Sequence, residues 1–283
     1  MADPARIWRH RKGEMVLDHT RVMGVLNVTP DSFSDGGRYF EPDVALRHGL
    51  DLVDHGADLL DIGGESTRPG SDPVPAEEEW RRIGGVIRDL AGKTDVPVSV
   101  DTMKPEIAAK AIKAGASIVN DVSGLRDPAM ARVAAEGRAG VVVMHMLGNP
   151  KTMQEHPQYT DVVGEVRTFL IERSRVLEAS GVNPAAIALD PGVGFGKAVE
   201  HNLDLLHHLD RIVALGHPVV VGVSRKSFIE RLGGSEPGER LSGSIAAATV
   251  AVTKGAHVVR VHDVRETVRA MRVADALVRG EKL

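Results

Sequence analysis

A parallel (β/α)8 barrel is the fold this sequence predicts, and three observations predict it. Short β-branched runs alternate with helix-compatible segments eight times, one Gly-Ala register leads into three of the runs, and nearly every run ends in a polar group. The strand candidates are Val22–Val28, Leu59–Ile62, Val96–Val100, Ile118–Val122, Val141–Met146, Ile187–Leu189, Val219–Val223 and Val258–Val261. The helix-compatible segments are 43–56, 76–92, 105–114, 127–137, 161–180, 200–215, 240–254 and 264–279. Such alternation makes βα units; an open doubly wound sheet is the rival arrangement.

The internal echo favours the barrel. Gly56-Ala57-Asp58-Leu59-Leu60-Asp61, Gly115-Ala116-Ser117-Ile118-Val119-Asn120 and Gly255-Ala256-His257-Val258-Val259-Arg260 share one register. In each, a glycine suited to a helix C-terminal cap leads straight into a strand. Ordinary αβ-loop chemistry accounts for the Gly-Ala pairs. It does not account for the polar Asp61, Asn120 and Arg260 at the equivalent strand position.

No linker or low-complexity tract interrupts the 283 residues, so one barrel domain is expected over 21–283. Residues 1–20 read as a short extension, with Met15-Val16-Leu17 suited to one arm of a hairpin. Lys plus Arg number 35 and Asp plus Glu 39, a net charge of −4. That balance offers no whole-molecule field for nucleic acid or an anionic membrane, so any anion site has to be built locally. Cysteine is absent, which excludes disulfides, thiolate nucleophiles, zinc ribbons and iron–sulfur clusters. Oxygen and imidazole remain as metal ligands, and no spacing suits three convergent zinc ligands. With no uninterrupted apolar run of about 18 residues, a soluble, cytoplasmic protein is expected.

The strand ends collect Asn27, Asp61, Asp101, Asn120, His145, Asp190, the Ser224-Arg225-Lys226 run, Arg260 and His262. Each would be costly in an apolar core without a partner. In a barrel these ends converge on one mouth, so the set reads as an active-site inventory. Any one of them could instead cap the next helix. So many cations, carboxylates and carboxamides around one rim exceed what capping requires. Two loops, Thr29–Gly37 and Gly63–Gly70, mix glycine hinges with hydroxyls and charges, as segments that order over a ligand do, although solvated turns share that composition. Phe33 sits in the first, although the chain has only two Trp, two Tyr and five Phe. The Asp190–Lys197 stretch matches neither a P-loop nor the dinucleotide fingerprint. It reads as a tight loop that places Phe195 for stacking.

With these residues assembled, the chain resembles the dihydropteroate synthase family of the folate pathway, the sulfonamide target. Two long signatures carry the resemblance: Met23–Gly37 (MGVLNVTPDSFSDGG) and Gly56–Gly70 (GADLLDIGGESTRPG). Further matches are VSVD ending at Asp101, VNDV around Asn120, Met144-His145-Met146, Leu189-Asp190-Pro191-Gly192, Ser224–Ser227 and Arg260–Asp263. The resemblance implies a homodimer, Mg2+, and the condensation of (7,8-dihydropterin-6-yl)methyl diphosphate with 4-aminobenzoate to 7,8-dihydropteroate. It implies that Asp101, Asn120, Met144, Asp190, Phe195, Gly222 and Lys226 hold the pterin. Asn27, Thr67, Arg260 and His262 would hold the diphosphate, with Asn27 also the metal contact. Phe33, Ser66, Arg68, Pro69 and Ser227 would surround aminobenzoate. Asp35, Lys226 and Arg260 would assist catalysis, and the helices at 240–254 and 264–279 would make the dimer.

The residue types suit that chemistry independently. A pterin presents paired N–H donors beside a carbonyl; a carboxylate accepts the pair and Lys or Asn donates to the carbonyl. Diphosphate requires cations and hydroxyls. The aryl amine is neutral at pH 7, so the difficult step is departure of diphosphate, which predicts an SN1-like reaction with the anion held by a preformed clamp. Two competing readings are a corrinoid-type methyltransferase barrel, which would not need Thr67-Arg68-Pro69 or Ser224-Arg225-Lys226, and a silent pterin-binding relative, which should have lost them.

Overall fold

The computed structural model describes residues 7–29, 42–67, 70–233 and 240–279. Eight strands run parallel: β3 (Arg21–Asn27), β4 (Leu59–Gly63), β5 (Val98–Asp101), β6 (Ile118–Asp121), β7 (Gly140–Met144), β8 (Ile187–Asp190), β9 (Val220–Gly222) and β10 (Val258–Val261). Their order is β8-β7-β6-β5-β4-β3-β10-β9, and a parallel bridge between Leu189 and Val219 joins the two outer strands. The ring therefore closes as a (β/α)8 barrel, and the open-sheet alternative falls away.

The eight expected strands are all present. The strands, buried on both faces, are near-continuous apolar runs, as parallel strands covered by helices should be. Helices α1 (Pro42–Asp54), α2 (Ala76–Lys93), α3 (Pro105–Ala114), α4 (Pro128–Gly137) and α5 (Val162–Ala179) follow in turn. Proline at the first position opens α3, and Gly115 at φ 119° ends it, a left-handed conformation that leads directly into β6.

The second half differs from the expected pattern in two places. The segment 200–215 is two helices, α6 (Val199–His207) and α7 (Asp210–Val213). His208 leaves helical geometry at φ −108°, ψ 26°, and the break lets Leu205, Leu206, Leu209 and Ile212 all reach the core. An unanticipated α8 (Ser227–Gly233) follows β9, too short for its periodicity to register. Then come α9 (Leu241–Thr253) and α10 (Val264–Arg279).

One large apolar shell lies between strands and helices. A second cluster closes the barrel at the strands' N-terminal end. There β1 (Ile7–His10) and β2 (Gly13–Val16) form an antiparallel hairpin. Trp8, Met15 and Leu17 pack under Met23, Leu59, Ile118, Val142, Ala188, Val220 and Val258. Trp8 is wholly buried and donates its indole N–H to the Ala186 carbonyl at 3.0 Å. With the bottom filled by apolar side chains, polar strand residues are left to gather at the top.

Candidate active site

Strand register brings Asp101 beside Asn120 and beside Gly63, and Arg260 beside Gly222 and Met23. The centre of the mouth is Asp61, fully buried. Its Oδ2 accepts from Arg260 Nε at 2.6 Å and from Asn120 Nδ2 at 2.9 Å. Arg260 turns its Nη2 to Asp101 Oδ2 at 2.7 Å. The three polar positions of the Gly-Ala echo are thus one hydrogen-bonded cluster.

Two carboxylates against one guanidinium leave acceptor capacity over. Asp61 Oδ1 and Asp101 Oδ1 are buried without a partner, a cost the fold sustains where a ligand's donor is to arrive. Burial drives the Asp101 carboxyl up to about 7, against the pull of Arg260 and with the push of Asp61, Asp121 and Glu79. Arg260, flanked by these carboxylates, stays a cation despite its own burial.

Across the mouth, Asp190 ends β8 and accepts from the Gly192 N–H at 2.7 Å. Burial raises its carboxyl above the ordinary range, opposed by Lys226. Lys226 donates to the Val193 carbonyl and stands 4.8 Å from the centre of the Phe195 ring. Burial lowers its ammonium to about 8, with Asp190 resisting and Arg260 assisting. Gly222 faces the space between the two cations: a Cβ there would lie at ordinary contact distance, 3.7 Å from Lys226 Nζ and 3.8 Å from Arg260 Cβ. Phe195 packs with Met103 on a patch of Val122, Met144, Met146 and Met153, a soft wall for a flat ring.

The loop from Asp190 to Lys197 has alternate glycines for a structural reason. Gly192, Gly194 and Gly196 have φ of 67°, 81° and 62°. A Cβ at Gly192 would sit 1.9 Å from the His145 carbonyl oxygen, and one at Gly196 2.6 Å from that of Leu147.

The second loop is latched by a lysine that sequence reasoning missed. Lys104, after β5, bonds Glu65 and reaches Glu79 Oε2 at 2.6 Å, while Arg82 Nη1 donates to the Gly64 carbonyl at 2.9 Å. These contacts tie the arm carrying half-buried Ser66 and Thr67 to α2 and to the strand that ends in Asp101. On the other side, His262 meets the Ser224 hydroxyl through its backbone N–H at 3.2 Å and its Nδ1 at 3.1 Å. Arg225 occupies a left-handed φ of 58°, pinned by Asp263 and by Ser244, and Lys226 follows it. Ser227 is exposed at the start of α8, and Asn27 is half-buried at the end of β3, its Oδ1 facing Gly63.

The structure therefore gathers Asp101, Asn120, Asp190, Phe195, Gly222, Lys226 and Arg260 at one mouth, with Met144 in the wall behind. Asn27, Ser66, Thr67, Ser227 and His262 lie on strand ends and loops around it. Phe33, Asp35, Arg68 and Pro69 lie outside the described residues. Besides Lys104, Glu65 and Glu79, the roles of Asp61 as hub and of Lys197 were not legible as such; only the echo signalled the first.

The pterin binding enzyme family matches residues 23–262. The dihydropteroate synthase of Escherichia coli is 47% identical over 260 residues, covering 92% of this chain and 92% of that one. The dihydropteroate synthase of Xanthomonas albilineans solved with 4-aminobenzoic acid superposes with a TM-score of 0.88 at 49% identity, over 93% of this chain and 95% of that one. The same organism's enzyme in complex with 7,8-dihydropteroate gives a TM-score of 0.85 at 47% identity, with the same coverage.

Proposed function

Because the chain belongs to the dihydropteroate synthase family of pterin-binding enzymes, we propose how its barrel mouth divides the labour of that reaction. The enzyme condenses (7,8-dihydropterin-6-yl)methyl diphosphate with 4-aminobenzoate, forming 7,8-dihydropteroate and diphosphate for folate synthesis. One observation carries the assignment of parts: the Asn120–Asp61–Arg260–Asp101 cluster, in which pterin-type and anion-type groups share a single buried carboxylate.

On the pterin side, the unpartnered Oδ1 of Asp101 and the Asp190 carboxylate accept the ring's N–H donors. Asn120 and Lys226 donate to its acceptors, and Phe195 and Met144 cover its face. On the anion side Arg260, His262 and Thr67 hold the diphosphate. Mg2+ suits the same place: Asn27 supplies a carboxamide oxygen, a hard donor, and diphosphate oxygens and waters complete such an ion's shell. When bound, the ion would neutralise charge on the departing diphosphate.

The chemistry follows from charge. The aminobenzoate nitrogen is already a neutral nucleophile, so the enzyme's contribution is to hold the leaving anion in a preorganised clamp and to keep water from the electron-poor methylene. Asp35, Phe33, Ser66, Arg68, Pro69 and Ser227 are assigned to the aminobenzoate side by the matched motifs. A homodimer is supported by α9, which carries no charged residue from Leu241 to Thr253 and leaves Leu241 and Val250 exposed, and by α10, which packs against it and leaves Val273 and Leu277 exposed.

The test is diphosphate release from the pterin diphosphate with and without 4-aminobenzoate, with 7,8-dihydropteroate measured alongside. Equal release of diphosphate and formation of dihydropteroate is the expected result. Absence of both would favour a silent relative instead.

A further inference from the structure

Lys197 closes the loop that carries Phe195 and is 2% exposed. Its Nζ lies 2.9 Å from the Gly192 carbonyl, 2.9 Å from the Phe195 carbonyl, 3.0 Å from His145 Nδ1 and 3.3 Å from the His145 carbonyl. No carboxylate among the described residues bonds it. The arrangement is that of a small cation enclosed by backbone oxygens, with the ion supplied by the chain itself.

The donor count fits an ammonium. An ammonium has three N–H donors, and with His145 Nδ1 as acceptor the three nearest acceptors take one each. His145 is the complementary partner. Burial and the Lys197 charge hold its imidazole down to about 3, so the ring is neutral, and its Nε2-protonated tautomer offers Nδ1 as a lone pair. Burial pulls Lys197 itself well below its ordinary range, while Asp190 supports its charge. A buried lysine can also serve as a nucleophile. Here the nitrogen is buried and enclosed by backbone carbonyls and an imidazole, which leaves no approach for an electrophile.

What the ammonium holds is an arch. The Phe195 N–H bonds the Gly192 carbonyl at 3.0 Å, making a tight turn whose Gly192 and Phe195 carbonyls both face Lys197. The rest of the arch is fastened from four other places. Asn202 accepts from the Gly194 N–H at 2.6 Å, Gln154 donates to the Gly194 carbonyl at 2.7 Å, Tyr159 donates to the Gly196 carbonyl at 2.8 Å, and Asp190 holds the Gly192 N–H. Left-handed glycines have no side chains to pack, so the arch depends on these polar ties for its shape. Its outer surface presents the Phe195 ring and the Val193 carbonyl to Lys226.

We propose that Lys197 is a positioning residue for pterin recognition, a built-in ammonium that takes the place of a structural metal ion and fixes the arch bearing Phe195 and the acceptor for Lys226. The proposal rests on the pterin-side assignment of Phe195 and Lys226 made above.

The test compares the wild type with Lys197→Met and Lys197→Ala, reading the Kd for 6-hydroxymethylpterin by fluorescence titration, the KM for 4-aminobenzoate, and the thermal midpoint. Both variants are expected to weaken pterin binding tenfold or more with the aminobenzoate KM changed less than threefold. In Lys197→Ala, n-propylammonium at millimolar concentration should restore pterin affinity, whereas n-propanol should not. Pterin affinity within threefold of wild type in either folded variant overturns the proposal, as does rescue by the alcohol. If the variants fold only with the ammonium present, the built-in cation stands; if neither folds with or without it, Lys197 is a global stability element and the proposal falls. A wild type that binds no pterin would instead refute the reading of the mouth.

Discussion

Replacing Asp61 by Asn probes the sharing of one carboxylate by two substrate subsites. The change is isosteric, and it removes one charge from a fully buried position whose Oδ2 holds Arg260 at 2.6 Å and Asn120 at 2.9 Å. Exchanging a charge-assisted hydrogen bond for a neutral one loses about 1–2 kcal/mol at Arg260. The new amide also points two donors into a region where Asn120 already donates. Breaking a buried ion pair costs about 3–5 kcal/mol, but Asp101 still grips Arg260 Nη2. We therefore expect a loss of about 2–4 kcal/mol and a thermal midpoint lowered by about 3–7 °C at this chain length. Removing one preorganised donor from a developing anion lowers turnover by about 10²–10³-fold, and the loosened Arg260 should place Asp61→Asn at about the lower end. Pterin affinity should fall about tenfold in parallel, through Asn120, since about 1.4 kcal/mol is tenfold. The assays are steady-state diphosphate release and fluorescence titration of a pterin, both below the melting transition. A folded Asp61→Asn enzyme with kcat within threefold of wild type, or one that loses turnover with pterin affinity intact, would refute the sharing.

Two further outcomes are expected. The pH profile of kcat/KM for the pterin diphosphate should rise as pH passes upward through about 7, where Asp101 ionises and gains its acceptor charge, and fall above about 8, where Lys226 loses its proton. In Lys226→Arg the alkaline limb should vanish while the acid limb stays, because a guanidinium remains charged throughout; an unchanged alkaline limb would remove Lys226 from the profile. At the other end of the barrel, Trp8→Ala should cost about 3–5 kcal/mol, read as a lower thermal midpoint. Its kcat at 25 °C should remain within twofold of wild type, and a larger loss would mean that the hairpin reaches the mouth.

The eight strands and the end of the barrel that carries chemistry were legible because topology forces them: parallel strands are buried on both faces, so polar residues gather toward their C-terminal ends. The echo marked Asp61, Asn120 and Arg260 as odd before any distance was known. That they touch was not legible, since they lie 59 and 199 positions apart and only the order of the strands in the sheet brings them together. Lys104 with Glu65 and Glu79 escaped notice for the same reason. Lys197 escaped because its partners are backbone carbonyls, which leave no trace in side-chain pattern. The break between α6 and α7 and the short α8 fall below the window in which a helical period can be seen.

The hairpin under the barrel bears on how the molecule is made. Trp8 and the carbonyl it bonds are 178 positions apart, and β3 cannot acquire its β10 neighbour until Val258 has been synthesised. At about 5–20 residues per second, an emerging chain carries Trp8 for about 9–36 s before Ala186 exists. A segment made before the whole barrel is thus among the last to find its place. During that interval an indole and the apolar strand behind it are open to whatever meets them, so yield in a cell should depend on how well the nascent chain is sheltered as well as on the stability of the finished barrel.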